Sequence, residues 1–265
     1  MPDPANGATR VRARTAFGSD PAVYEAGRPD YPGEVYRILV DRCGLRAGIS
    51  ILESGPGTGQ VTRQLVAAGA HVTAVEPDPA LCEFLRGAFP SKQVKVIEST
   101  FEDATFDADS FDLVAAATSF HWVDQSVGLP KIGRIARPGG WVALWWTSFG
   151  DPDRADPFHD ATRDLLGGME RPPGSTPEFQ LLREDRQADL RHHAQLVDVR
   201  SELIPWTARM NPTQVRSLYA SFFNIIQRPD DERMRLLDTL EAIASDDFGA
   251  IVERPFVTIL YTGRR

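Results

Sequence analysis

Two spacings of apolar residues alternate along the chain between residues 31 and 147. Strands bring every second side chain to one face, whereas helices bring every third or fourth. Short apolar or alternating runs predict strands at 50–54, 71–76, 92–98, 111–119 and 141–148. Helical spacing predicts helices at 31–45, 59–69 and 78–89, and a weaker one through Ile132 and Ile135. Strands that alternate with helices indicate a parallel sheet with helices on both of its faces.

The rhythm changes after residue 148, where prolines and glycines surround helical stretches, and two more strands are predicted at 199–210 and 253–265. We therefore predict an α/β fold: a Rossmann-like, doubly wound, seven-stranded, mostly parallel sheet with helical cap insertions. Residues 1–15 are predicted to be a disordered tail and residues 16–265 a single domain. Its core should span about 31–150, its cap segments about 152–196 and 212–247, and its last strands about 197–210 and 253–265.

Charge and composition narrow the classes of partner. The formal net charge of −8 at pH 7 argues against nucleic acid, which needs a basic face. No apolar run approaches the ~20 residues of a membrane span, and the N-terminus lacks the apolar stretch of a signal peptide, so we expect a cytoplasmic protein. Cys43 and Cys82 have no metal-ligand spacing; they are interpreted as idle thiols, and no metal site is expected.

The candidate chemistry begins at the end of the first predicted strand, in ILESGPGTGQ (51–60). A dinucleotide fingerprint, G-x-G-x-x-G, fails here because Gln60 stands where its third glycine would be. What fits is an acid followed by three alternate glycines: Glu53, Gly55, Gly57 and Gly59. The glycines allow a ligand to lie against the backbone, and the carboxylate suits a cationic or amine-bearing group. The alternative is a tight strand-to-helix turn with no ligand.

Glu76 ends the second predicted strand, about 20 residues after the glycine turn. A carboxylate at this place can accept hydrogen bonds from both hydroxyls of a ribose, as it does in dinucleotide sites. Taken alone, Glu76 could equally be a solvated acid at the end of a strand. Together with the acidic glycine turn, it predicts a ribose-bearing ligand without phosphate.

At this point the chain resembles the class I S-adenosylmethionine (SAM)-dependent methyltransferases. The resemblance rests on the acidic glycine turn, Glu76, FEDATFDADSFDLV (101–114) and RPGG (137–140), and it covers most of residues 15–150. YEAGRPDYP (24–32) and SFHWVD (119–124) look like the small-molecule branch that includes trans-aconitate and ubiquinone-type methyltransferases. The resemblance implies SAM as the cofactor and a small-molecule methyl acceptor, with O-methylation favoured.

The resemblance also implies roles for single residues. Glu53 and the three glycines would line the methionine part of SAM, and Glu76 would hold the ribose. Thr100 and Phe101 would flank the adenine, with the Phe101 amide facing the ring, although the family often has an acid where Thr100 stands. The remaining predicted cofactor contacts are Pro77, Thr118, Tyr24 and Arg28, the last two as a latch over SAM. Arg28 could instead be a structural ion-pair partner.

The methyl acceptor is expected beyond the fourth strand, next to SFHWVD. His121 is the candidate general base, because an imidazole titrates near neutrality. The alternative is that it packs or bonds to a backbone carbonyl. Trp122 and Trp146 could form the walls of an acceptor pocket or belong to the core. Two other functional classes stay open: a methyltransferase for protein or nucleic acid, and a SAM-binding protein without methyl transfer, such as a cyclase or regulator.

Overall fold

The structure is a computed structural model of the chain that describes residues 25–90, 92–167 and 179–265. Seven strands form one sheet in the order β3-β2-β1-β4-β5-β7-β6. Their bounds are β1 Ser50–Ser54, β2 His71–Glu76, β3 Val94–Glu98, β4 Phe111–Ala117, β5 Ala136–Ser148, β6 Val197–Met210 and β7 Val252–Arg264. The first five strands pair in parallel, whereas β7 runs antiparallel to both β5 and β6. The predicted fold class is therefore confirmed.

Helices connect the strands and cover the sheet. Their bounds are α1 Gly33–Asp41, α2 Gln60–Ala67, α3 Pro79–Ala88, α4 Gln125–Ile135, α5 Pro157–Leu166, α6 Arg183–His192, α7 Pro212–Ala220, α8 Phe223–Ile226 and α9 Asp230–Asp246. The Asp78 carboxylate caps α3 by accepting hydrogen bonds from the amides of Ala80 and Leu81. Among the described residues, no helix is both long and apolar enough to cross a membrane.

Burial explains the apolar pattern. Leu52, Val114 and Leu144 point to one side of the sheet, where α4 and α6 supply the partners. Ile51, Leu113 and other side chains from the same strands point to the opposite side, towards α1 and α2. A third cluster lies under α5, α7 and α9, away from these two layers. Strands buried on both faces read as nearly continuous apolar runs, as β4 does.

The structure corrects the predicted boundaries at two places. RPGG (137–140), predicted as a turn before the fifth strand, lies inside β5, because the strand begins at Ala136. The register with β4 shifts there, from Phe111 opposite Ala136 to Leu113 opposite Trp141, so the four residues form a bulge. The helical stretch after Pro212 breaks near Pro229 as predicted, and a second break separates α7 from α8.

The domain bounds stay a prediction. The tail predicted at 1–15 and Tyr24, predicted as part of a latch, lie outside the described residues, as does part of the first cap segment. The carboxyl ends of β1, β2 and β4, which are parallel neighbours of one another, meet at one edge of the sheet. This edge is where an open parallel sheet binds its ligand.

Candidate active site

The glycine turn after β1 is held at both ends by contacts that only glycine permits. Gly55, Gly57 and Gly59 all have positive φ angles, of 66°, 59° and 85°. A Cβ atom at Gly55 would lie 2.5 Å from Ser119 Cβ, and one at Gly59 would lie 2.5 Å from Phe89 Cε2. Gly55 and Gly57 line a cavity, whereas Gly59 does not; it is the N-cap of α2. Gly59 therefore allows the conformation of the turn and the close packing at the start of α2.

Glu53 and Glu76 meet at this turn as two buried carboxylates. Thr62 donates a hydrogen bond of 2.6 Å to Glu53 Oε2, and the amides of Gly57 and Asp78 each donate one of 3.1 Å to Glu76. Burial raises the pKa of each carboxyl to about 7, although these hydrogen bonds oppose the shift. The site thus holds negative charge that a cationic ligand with hydroxyl groups would stabilise.

The loop after β3 forms the far wall of the same cavity. Thr100 and Phe101 line it, and so does Pro77 after β2. The Thr100 hydroxyl donates a hydrogen bond of 2.7 Å to Asp103. The Thr100 hydroxyl is therefore bonded to a carboxylate of its own loop. It does not substitute for a carboxylate at its own position. Phe101 is buried, with its ring edge-on to Phe120.

Thr118 lies directly after β4 in a strained conformation. Its φ of 50° is in the left-handed region, which a β-branched residue adopts only when its surroundings impose it, at a cost of about 1–3 kcal/mol. Its hydroxyl lies 2.8 Å from that of Tyr31, and its amide donates to the Trp145 carbonyl at 2.7 Å. Such strain is typical of residues that a site holds in place. Thr118, which the sequence predicts as a cofactor contact, lines the cavity.

The cavity has a volume of about 720 Å³ and extends from the glycine turn to a wall of aromatic rings. This second end is formed by residues far apart in sequence: Trp122, Phe149, Trp206, Phe222 and Phe223. The Arg28 guanidinium lies over the rings of Phe149 and Phe222, at 4.7 and 5.2 Å from their centroids, and donates to the Ser221 carbonyl. Arg28 therefore lines the cavity next to the cap helices α7 and α8.

His121 lies in the turn that follows β4, and it lines the cavity. Its Nδ1 accepts a hydrogen bond of 2.9 Å from the Trp146 indole nitrogen. Burial lowers the pKa of the imidazole to about 3, so the ring is neutral at pH 7. A neutral imidazole whose Nδ1 is an acceptor carries its proton on Nε2.

The two predicted pocket tryptophans separate in the structure. Trp122 lines the cavity, with its ring 4.4 Å from His121 and 6.5 Å from Phe223. Trp146 does not line it: the side chain is buried in the core, edge-on to Tyr261, and reaches the site through His121. Its placement corrects the pocket interpretation, because side chains alternate along β5 and its neighbour Thr147 takes the cavity side.

Several lining residues escaped the sequence analysis. Thr58 has a buried hydroxyl with no hydrogen-bond partner among the described residues, and it lines the cavity. Its place between two glycines of the turn was the signal that could have found it. Tyr31, Asn224 and Gln227 also line the cavity, but no local pattern marks them. No group of three or more potential metal ligands occurs in the part of the chain that the structure describes.

These donors and acceptors fit SAM. The two carboxylates match its cationic groups and ribose hydroxyls, and the unsatisfied Thr58 hydroxyl offers a further polar contact. Fold and site together are those of a class I SAM-dependent methyltransferase. A family described as a methyltransferase domain matches residues 52–144.

The comparisons extend this match to the whole chain. An uncharacterised methyltransferase of Mycobacterium tuberculosis is 31% identical over 255 residues, which cover 92% of this chain and 93% of the relative. The chain therefore belongs to the methyltransferase family, and its cofactor is SAM. A candidate type II methyltransferase from Anaeromyxobacter dehalogenans has a TM-score of 0.63 at 22% identity, over 89% of this chain and 97% of that one. The phosphoethanolamine N-methyltransferase 2 of Haemonchus contortus, solved with SAM, has a TM-score of 0.56 at 14% identity. The match covers 94% of this chain and 57% of that one.

Proposed function

We propose that this methyltransferase methylates an oxygen of a small molecule and that this oxygen is already ionised when it reacts. The hydrogen bond from Trp146 Nε1 to His121 Nδ1 carries the proposal, because it leaves the neutral imidazole with its proton on Nε2, and His121 lines the cavity. SAM supplies a methyl group activated by its sulfonium. The acceptor oxygen attacks the methyl carbon, the carbon–sulfur bond breaks, and S-adenosylhomocysteine leaves with the electron pair.

The shape of the cavity supports a small acceptor. Five aromatic side chains line its second end, and two of them, Phe222 and Phe223, come from the start of α8 in the cap. A concave site lined mainly by apolar side chains is typical of small-molecule binding. A polymer would need an open groove at this place.

The cofactor would occupy the end lined by the glycine turn. Glu53, Gly55, Gly57 and Thr58 would hold its amino-acid part, Glu76 its ribose, and Pro77, Thr100 and Phe101 its adenine. Thr118, at the end of β4, would lie beside the reacting methyl group. Gly59 supports this arrangement through the turn, without lining the cavity.

The role that we propose for His121 differs from the general base that the sequence suggests. Its Nδ1 lone pair is engaged by Trp146, and its Nε2 holds a proton, so the ring has no free lone pair for an acceptor proton. It can donate that Nε2 proton in a hydrogen bond to an anionic oxygen. The Arg28 guanidinium adds positive charge at the same end. An acceptor that arrives ionised needs no base, and these groups orient it.

Two substitutions of His121 separate the donor from the base. His121→Gln keeps an N–H near the place of Nε2, whereas His121→Leu removes it. With an acceptor that supports turnover, we expect His121→Leu to lose about 10- to 100-fold in kcat/KM, as for one hydrogen bond to a charged group, and His121→Gln to recover most of it. SAM affinity should not change in either variant.

The pH profile of the parent enzyme provides the second arm. At saturating SAM, a donor role predicts no rise in rate that depends on imidazole titration between pH 6 and 8, because the ring stays neutral there. If both variants are equally inactive and the parent rate rises with pH through an imidazole titration, His121 is the base and the ionised acceptor is wrong.

A further inference from the structure

Lys131 holds the loop that forms the far wall of the cofactor end. It lies on α4, and its ammonium group donates hydrogen bonds to the carbonyls of Phe101 at 2.6 Å, Glu102 at 3.0 Å and also Ala104. Three acceptors require three N–H donors, which only the charged form of lysine has. The same ammonium lies 5.1 Å from the centroid of the Phe101 ring and 5.7 Å from that of Phe106.

These contacts set the direction of the loop's peptide groups. Each peptide unit is planar and trans, so its N–H points opposite to its C=O. The carbonyl of Phe101 points at Lys131, and the amide of Glu102 in the same peptide unit must therefore point away from it. The Ala104 amide donates to the Thr100 carbonyl at 3.0 Å and closes the turn. Thr100, Phe101 and Glu102 all line the cavity.

We propose that Lys131 is the positioning residue for the adenine of the cofactor. The inference rests on the proposed placement of adenine at Thr100 and Phe101. The Thr100 hydroxyl is already bonded to Asp103. Recognition of the base therefore falls to the backbone of the loop, and Lys131 fixes that backbone from behind. An ammonium bonded to the carbonyls also polarises the chain of peptide dipoles, which strengthens amides as donors.

The charges around Lys131 agree with this role. Burial and the neighbouring Arg134 lower the pKa of the ammonium, while Glu102 and Asp103 in the loop raise it. Both acids belong to the same turn that the three carbonyls come from. The loop thus offers three backbone carbonyls to one cation and holds two acids whose charge favours it, and α4 carries that cation.

A pair of ligands tests whether Lys131 acts on the base itself. S-adenosylhomocysteine has an unprotonated N1 that can accept a hydrogen bond from a loop amide, whereas S-inosylhomocysteine carries a proton on N1 and opposes the same amide. A rigidly aimed amide should therefore prefer the adenine ligand, and a loosened loop should lose that preference.

Calorimetric titration of Lys131→Met, Lys131→Arg and Lys95→Met with both ligands measures this preference for the adenine ligand. Lys95 is an exposed lysine on β3 and gives a matched control. We expect Lys131→Met to bind S-adenosylhomocysteine about 10-fold more weakly, with S-inosylhomocysteine changed by less than about twofold. Lys95→Met should match the parent for both ligands. Lys131→Arg should lie between, because a planar guanidinium cannot aim at three convergent carbonyls as an ammonium does.

Two results would overturn the role. Equal weakening of both ligands means that Lys131 only supports the fold, and parent-like affinities for both mean that the loop does not need it. Thermal unfolding of each variant shows whether the fold is kept. A parent protein that binds neither ligand would instead remove the cofactor site beneath the inference, so the two failures are distinguishable.

Discussion

At the scale of single residues, the site is dominated by two carboxylates that are costly without a ligand. Glu53 is 1% exposed and Glu76 is 4% exposed, and burial raises both pKa values to about 7. The ordinary pKa of a glutamate is near 4.3. Between about pH 4.5 and 7 the ligand-free folded protein therefore retains protons that the unfolded chain releases. These groups contribute stability at low pH that is lost as the pH rises through 7.

Binding of a cationic ligand should depend on pH in the opposite direction from the stability of the ligand-free protein. SAM favours the ionised carboxylates, so its affinity should increase with pH, by about tenfold between pH 6 and pH 8 for one carboxylate of pKa about 7 that must ionise. Calorimetric titrations of SAM across this range measure the slope.

Comparison of Glu76→Gln with Glu98→Gln distinguishes the effect of a carboxylate in the site from the effect of a neighbouring carboxylate outside it. Glu98 is the register partner of Glu76 on β3, but it is exposed and pairs with Arg86. Glu76→Gln should weaken SAM binding about 10- to 100-fold at pH 8 and reduce the slope, whereas Glu98→Gln should do neither. Titration of the ligand's own amine is common to all variants and cancels. An unchanged affinity and slope in Glu76→Gln would remove Glu76 from the cofactor site.

At the scale of elements, the cap segments differ in what they contribute. Phe222, Phe223, Asn224 and Gln227, from α8 and its flanks, line the cavity. The helix α6 lies elsewhere: Arg183 and Gln187 bond to Ser201 of β6, and Leu190 packs into the core. We therefore expect the cap segment at about 212–247, and not the one at about 152–196, to act as a lid over the cavity.

Hydrogen exchange with and without S-adenosylhomocysteine tests that difference. The amides of α8 should exchange more slowly when the ligand is bound, because residues of α8 and its flanks line the cavity. The amides of α6 should change little and serve as the internal control. Equal protection of both helices, or none in α8, would count against a lid over the acceptor end.

Local sequence signals predicted the strands and helices well, because the side chains that are buried follow the spacing of apolar residues along the chain. β1 and β2 fall at their predicted bounds, since each combines an apolar face with a polar turn after it. The bulge in β5 was missed because RPGG has the composition of a turn, and only pairing with β4 shows that the strand starts earlier. The break before Phe223 was missed because SFFNII has no glycine or proline to mark it.

At the scale of the whole molecule, the two halves of the cavity were not equally predictable. The cofactor half comes from consecutive strand ends, so Glu53, the glycines and Glu76 could be found from spacing. The acceptor half is assembled by Phe149, Trp206 and Phe222, which tertiary packing brings together from three distant segments. The hydrogen bond between Trp146 and His121 likewise joins β5 to the turn that follows β4, and the proposed donor role of His121 depends on it.

The cavity as a whole carries opposite charge at its two ends. Glu53 and Glu76 lie at the end proposed for the cofactor, and the Arg28 guanidinium lies among aromatic rings at the end proposed for the acceptor. A cationic methyl donor and an anionic acceptor would each meet complementary charge, and they would meet each other near Thr118 and His121. Complementarity of this kind favours transfer to an acidic small molecule.

Incubation of the protein with methyl-labelled SAM and a panel of metabolites is the most direct measurement of this function. We predict that S-adenosylhomocysteine forms in step with a labelled methyl ester or ether of a small organic acid, and that Glu76→Ala abolishes most of it. SAM that binds tightly without label transfer to any metabolite, or label that appears only in protein or nucleic acid, would contradict a small-molecule O-methyltransferase.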